Sequence, residues 1–128
     1  MSARDDLMVL YEQVDSQSLP CDACGRCCRF DAMGFELWAT RLEVDTMVAL
    51  GGRPAAEVSP SRCPYQDGVG RCLNRRGRVL GCRLYCCGSE RAAESERCER
   101  AMAALRDLHR RHGVPWEYGR VTEMLLKY

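Results

Sequence analysis

The sequence predicts a small α+β domain in which helices surround a loop-rich cysteine core organised by metal, with short strands. Three observations lead there: amphipathic helical patterns towards both ends of the chain, a glycine-punctuated middle with little apolar periodicity, and ten cysteines among 128 residues. With 46% hydrophobic content, a chain of this length fills one modest core and not two. A single metal-binding domain over 1–128 is therefore expected, made of an N-terminal helix in 1–18, a cysteine-cluster region in 19–88 and C-terminal helices in 89–128.

Within 3–17, Leu7, Leu10, Tyr11 and Val14 recur at helical spacing behind Asp5 and Asp6, whose charge suits the positive end of a helix dipole. The pattern stops before Pro20, and 21–29 mixes cysteine, glycine and charge as a tight loop would. Phe35, Leu37 and Ala39 alternate with Glu36 and Trp38 in the manner of a short strand. Thr40-x-x-Glu43 is a capping-box signature for a helix over 41–50. The apolar face of that helix is Leu42, Val44, Met47, Val48 and Leu50, and Gly51-Gly52 supply its left-handed stop. Residues 53–61, with Pro54 and Pro60, read as a connector.

Turn signals at Asp67-Gly68, Gly70, Asn74, Gly77 and Gly81 leave only short apolar fragments in 62–88. So little apolar surface does not offset the entropy of ordering the chain, and metal–thiolate bonds are the expected supplement. The strongest helical pattern follows over 89–112, with Ser89 as a cap and Cys98, Ala101, Met102, Leu105, Leu108, His109 and His112 on one face. Gly113 and Pro115 end it. Residues 116–128 read as a short terminal helix returning across the core, with Gly119 weighing against it.

The formal net charge is +1, so no whole-protein field draws nucleic acid or anionic lipid, and neither is expected as a partner. The two parts of the chain differ in sign: residues 1–50 carry nine acids and four bases, residues 51–128 nine acids and fifteen bases. Arg71, Arg75, Arg76, Arg78 and Arg83 form a local cationic lobe. Offsetting the negative charge of thiolates around a cation explains that lobe better than RNA binding does. Asp5, Asp6 and Glu12 stand where a signal peptide needs a basic start and an unbroken apolar core. No stretch approaches the ~20 apolar residues of a membrane span. A cytoplasmic location is expected, where disulfides are disfavoured and a cysteine content of about 8% is available to metal.

The central feature is Cys21-Asp22-Ala23-Cys24-Gly25-Arg26-Cys27-Cys28, a CxxCxxCC run. Two intervening residues let a turn direct both sulfurs to one centre, and Gly25 lets the chain wrap so that amide N–H groups point at sulfur. A zinc knuckle uses that arrangement. Adding Cys27 at the same interval favours an iron-sulfur cluster, since three thiolates can each take a different iron of a cubane while a distant cysteine completes it. Zinc accepts four thiolates equally well, so spacing leaves the metal open. The side chains of adjacent Cys27 and Cys28 diverge, and one of them can serve a second centre or pack as a small hydrophobe.

Together with several later elements, this run resembles the YkgJ-like cysteine-cluster family of zinc- or iron-chelating domains. The matching elements are Cys21 to Cys28, Glu43 on a helix, Cys63-Pro64, Gly70-Arg71-Cys72, and Cys82-Arg83-Leu84-Tyr85-Cys86-Cys87. The resemblance covers about 19–88 and implies eight metal ligands, two sets of four: Cys21, Cys24, Cys27, Cys28, Cys63, Cys72, Cys82 and Cys87. Two departures stand out. The family's Arg-Pro before the late Cys-Arg is replaced around Arg76-Gly77-Arg78, which changes that turn. Cys86 sits where the family more often has proline, as an extra thiol. A similar cysteine pattern occurs in flagellin lysine N-methylases, which implies a methylating enzyme as an alternative. Against it, the chain is much shorter and shows neither a glycine-rich cofactor loop nor a CxxxCxxC spacing.

Cys98, on the packed face of its helix, reads as a core residue ahead of a ligand. His109 reads as a hydrogen-bonded helix histidine, with replacement of a fourth thiolate as the lesser view. Capping already explains Glu43 without acid–base chemistry. For Arg83 a solvated side chain competes with a hydrogen bond to sulfur. The expected function is thiolate-ligated metal binding with a structural, electron-transfer or metal-handling role. Iron-sulfur stands ahead of zinc, and the chain is not expected to be an enzyme on its own. A thiol redox sensor is the further alternative, from Cys27-Cys28 and Cys86-Cys87 beside arginines that would lower thiol pKa. Protein partners and oligomeric state leave no signature in the sequence.

Overall fold

The computed structural model describes residues 2–16, 37–54, 63–66, 72–84 and 91–128, with side chains in the last stretch from 96 onward. Among these residues are five helices and one two-stranded antiparallel sheet, the small α+β arrangement expected. The predicted loop at 21–29, the first residues of the predicted strand, most of the connector and the Ser89 cap lie outside the described residues.

Helix α1, Ala3–Ser16, begins with a reciprocal cap: Asp5 N–H donates to Ser2 Oγ and Ser2 N–H to Asp5 Oδ2, both at 3.1 Å. It buries Leu7, Leu10, Tyr11 and Val14, the stripe its spacing predicts. Strand β1, Trp38–Thr40, leads into helix α2, Arg41–Gly51, through the expected capping box. Glu43 N–H donates to Thr40 Oγ1 at 3.3 Å and Thr40 N–H to Glu43 Oε2 at 3.0 Å. The stop falls on Gly52, whose φ of 73° favours glycine and whose N–H closes on Val48 O at 2.7 Å. Gly51 is still helical. Its helix differs from expectation in the face it buries: Val44 and Met47 are joined inside by Glu43 and Thr46, while Leu50 lies exposed. The helix is turned inward towards Glu43 because that carboxylate has donors waiting in the core, and Thr46 satisfies its own hydroxyl on Leu42 O.

Helix α3, Leu80–Leu84, is a short ordered element within the stretch 62–88 expected to be loop-rich. Five residues containing a glycine carry little helical propensity. Its first N–H, on Leu80, is instead capped from another helix, by Glu43 Oε1 at 2.8 Å. Helix α4, Arg91–His112, buries Ala101, Leu105, Leu108 and His109 and ends in a Schellman turn. There Gly113, at φ 64°, donates to Arg110 O, and Val114 N–H reaches His109 O at 2.9 Å.

The tail differs from the predicted terminal helix. Tyr118–Arg120 forms strand β2, antiparallel to β1 with Ala39 opposite Gly119, and only Val121–Leu125 forms helix α5. Pairing wins because β1 has no other strand among the described residues. Backbone bonds continue past the ladder, from Arg41 N–H to Glu117 O and from Val121 N–H to Leu37 O, both at 2.9 Å.

Two apolar clusters fill the interior. The first lies where α1, α3 and α4 meet, around Leu7, Tyr11, Leu80, Leu105 and Leu108. The second joins β1, α2 and α5 to the loop-rich segment, through Ala39, Val44, Met47, Cys63, Val79 and Val121. No helix of the described residues is long and apolar enough to cross a membrane.

Candidate metal centre

Of the eight predicted ligands, Cys21, Cys24, Cys27, Cys28 and Cys87 lie outside the described residues, as does Cys86. Cys63, Cys72 and Cys82 lie within them. Cys63 is buried in the second cluster, and Cys72 and Cys82, half-buried, pack against that same cluster. Cys98 borders the other cluster beside Met102, as its helical position implies.

Backbone and side-chain hydrogen bonds tie the Cys63 and Cys72 segments to each other and to the end of α2. Leu73 N–H donates to Tyr65 O at 2.8 Å, next to the antiparallel bridge between Gln66 and Cys72. Tyr65 donates its hydroxyl to Gly52 O at 2.6 Å, and burial pushes that phenol up to about 12. Asn74 donates to Met47 O at 2.8 Å and fills the space above Gly51 and Gly77, where a Cβ would meet its carboxamide at 2.3 and 2.7 Å.

Beside Cys82 stands Arg83, only 6% exposed, which corrects the solvated reading. Its guanidinium lies 4.1 Å from the Tyr11 ring centroid. It donates to Arg78 O at 2.8 Å, Arg76 O at 2.6 Å and Asp15 Oδ2 at 2.5 Å. The turn at Arg76-Gly77-Arg78 is thus fixed by a fork of N–H donors. Burial lowers the Arg83 pKa, and the Asp15 carboxylate opposes that. The cationic lobe is in part a structural element: Arg83 spends its charge inside, and Arg78 Nε donates to Arg75 O at 3.0 Å.

Tyr11 and Glu43 complete the surroundings. The phenol donates to Glu43 Oε1 at 3.0 Å. Burial first, then the Glu43 charge, pushes Tyr11 well above its ordinary pKa, with Cys82 adding to the rise. Glu43, 1% exposed, accepts from Tyr11, Thr40 and Leu80, and burial raises its pKa against those three donors. It is therefore a structural carboxylate and not a solvent-facing acid or base. The sequence does carry a signal for it: a tyrosine on the inward stripe of a helix needs a buried polar partner. His109 is also interior, with Nδ1 on Leu105 O at 2.9 Å, Nε2 without a hydrogen-bond partner among the described residues, and Trp116 edge-on at 5.0 Å.

Among the described residues, no three or more of His, Cys, Asp and Glu stand close enough to hold a metal ion. Cys63, Cys72 and Cys82, which share the second cluster, are thus not gathered within bonding reach of a single metal centre. As donors they fit one, because thiolates are the soft ligands that zinc and iron-sulfur clusters take. The flanks of the CxxCxxCC run bear on where further ligands come from. Asp15, at the end of α1, is tied to Arg83, and Leu37, just before β1, crowds Gly81 so closely that a Cβ there would lie 2.9 Å from Leu37 Cδ1. The described residues on either side of the run thus touch the two sequence neighbours of Cys82. Compared with known proteins, the chain matches no family model, no curated protein and no solved structure.

Proposed function

We propose that this chain is a thiolate-ligated metal-binding domain, with an iron-sulfur cluster as the first choice of cofactor and zinc as the alternative. Its role is structural, electron-transferring or metal-handling, in a reducing compartment such as the cytoplasm, where thiols persist. The ligands come from Cys21, Cys24, Cys27, Cys28, Cys63, Cys72, Cys82 and Cys87, the set implied by the YkgJ-like resemblance.

The observation that carries the proposal is the bracketing of Cys82: Arg83 holds Asp15 and Gly81 abuts Leu37, the two flanks of the cysteine run. Cys21 follows Asp15 by six residues, so its Cα stays within roughly 20 Å of that anchor whatever path the chain takes. Cys63 and Cys72 border the same cluster as Cys82. Three described thiols on one cluster, together with a run anchored at both flanks, supply the ligands of this proposal.

Elemental analysis and absorption of the full chain, purified without oxygen, test this. Stoichiometric iron with a brown colour and bands beyond the protein absorption is the expected result, and stoichiometric zinc in a colourless sample meets the alternative. Chelator should then lower the thermal midpoint. A metal-free chain whose melting ignores both chelator and added metal contradicts the proposal.

A further inference from the structure

Three aromatic rings stand in a row on one face of the β1–β2 pair and the segment leading into β2. Trp38 and Tyr118 have centroids 5.7 Å apart at 30°, and Tyr118 and Trp116 have centroids 5.8 Å apart at 7°. Arginine closes both ends, Arg106 of α4 lying 5.5 Å from the Trp116 ring and Arg120 lying 5.9 Å from Trp38. The simplest account is a diagonal cross-strand contact that helps hold β1 to β2. It explains why the rings touch one another. It does not explain why all three stay open to solvent, at 42% for Trp38, 42% for Tyr118 and 39% for Trp116.

We propose that this row docks single-stranded nucleic acid, its bases stacking on the rings and its phosphates meeting the arginines. Size argues against a folded partner. Aromatic side chains offer 150–250 Å² each, so two-fifths exposure leaves about 250 Å² in all, well short of the ~800 Å² that each side of a stable protein interface contributes. A strip-like ligand with flat faces needs no more than such a row.

Charge then chooses among strips. The cations at the row are Arg106 and Arg120, and the acids of the same stretch of chain are Asp107 and Glu117. Asp107 is taken up by Arg110 and Arg111, Glu117 by Arg41, and Arg120 also meets Glu123. Arg106 pairs with no carboxylate among the described residues and keeps its charge beside Trp116. A proline-rich segment would use the rings but gain nothing from the cations, whereas a polyanion gains from both. Whole-chain composition hides this surface, because the acids of residues 1–50 cancel it in the sum.

Both tryptophans of the chain belong to the row, so intrinsic fluorescence reports on it directly. Titration of the full chain with an eight-nucleotide oligouridylate should give saturable quenching. Trp38→Ala and Trp116→Ala should each weaken binding at least about fivefold while circular dichroism is retained. Arg106→Gln leaves the rings and strands in place and should reduce the slope of log affinity against log salt by about 0.7. The proposal is overturned by absence of quenching, by quenching with oligoproline and not with oligouridylate, or by an Arg106→Gln chain whose affinity and salt slope match the parent's.

Discussion

Tyr11 donates its hydroxyl hydrogen to Glu43 Oε1 at 3.0 Å, and this one contact joins the middle of α1 to the start of α2 inside the protein. The same carboxylate caps α3 through Leu80 N–H and closes the capping box of α2 through Thr40 N–H. Three helices are therefore indexed to one side chain. Because α3 carries Cys82, the geometry of the candidate centre depends on it.

Glu43→Gln replaces an oxygen with an N–H₂ where N–H donors already point, so a loss of about 1–3 kcal/mol is expected by urea denaturation. The pH dependence has a definite sign. Burial raises the folded-state pKa of Glu43 above its ordinary 4.5, so the folded protein holds a proton that the unfolded chain releases. The contribution of Glu43 to stability is full below 4.5 and falls as pH rises through the folded pKa. The advantage of the parent over Glu43→Gln should therefore shrink from pH 4.5 upward; a gap that widens would mean that burial does not dominate at this carboxyl.

Asp6 and His112 join the first turn of α1 to the last of α4 at 2.5 Å, with Arg111 3.5 Å from the same carboxylate. The hydrogen bond from His112 is the main cause holding the Asp6 carboxyl below its ordinary 3.8. Stability from this pair is present above 3.8 and disappears as pH falls through the lowered value. Asp6→Asn should flatten the acid limb of a melting-temperature profile, and an unchanged limb would show that the pair contributes nothing.

Arg83→Lys keeps the charge but has no planar fork to reach Asp15 and the carbonyls of Arg76 and Arg78 together. A loss of about 2–4 kcal/mol is expected by denaturant titration. Bound metal per chain should fall with it, since the turn before Cys82 is released. Full metal content with lowered stability would separate Arg83 from the centre.

Gly51→Ala should destabilise by about 1–3 kcal/mol, although alanine is the better helix former by about 1 kcal/mol. The new methyl would overlap the Asn74 carboxamide that donates to Met47 O. A variant more stable than the parent would mean that Asn74 gives way without loss.

The patterns that local physics sets on its own were readable in the sequence. Leu7, Leu10, Tyr11 and Val14 face inward as their spacing implies, Thr40 and Glu43 form the box their types require, and α4 runs to the Gly113 turn. What escaped was decided by distant partners. Leu80–Leu84 is helical because a carboxylate from α2 caps it, Tyr118–Arg120 is extended because β1 needs a neighbour, and Arg83 is buried because carbonyls and Tyr11 converge on it. None of those partners lies within a window in which periodicity is visible. Of the candidate centre, cysteine identity and order were legible, and the packing of Cys63, Cys72 and Cys82 on one cluster was not.

X-ray absorption at the metal edge of the purified full chain is the sharpest test of thiolate ligation. A shell of sulfur neighbours near 2.3 Å around iron or zinc is the result expected of a thiolate centre. A shell made only of nitrogen and oxygen near 2.0–2.1 Å, or no bound metal at all, would contradict it.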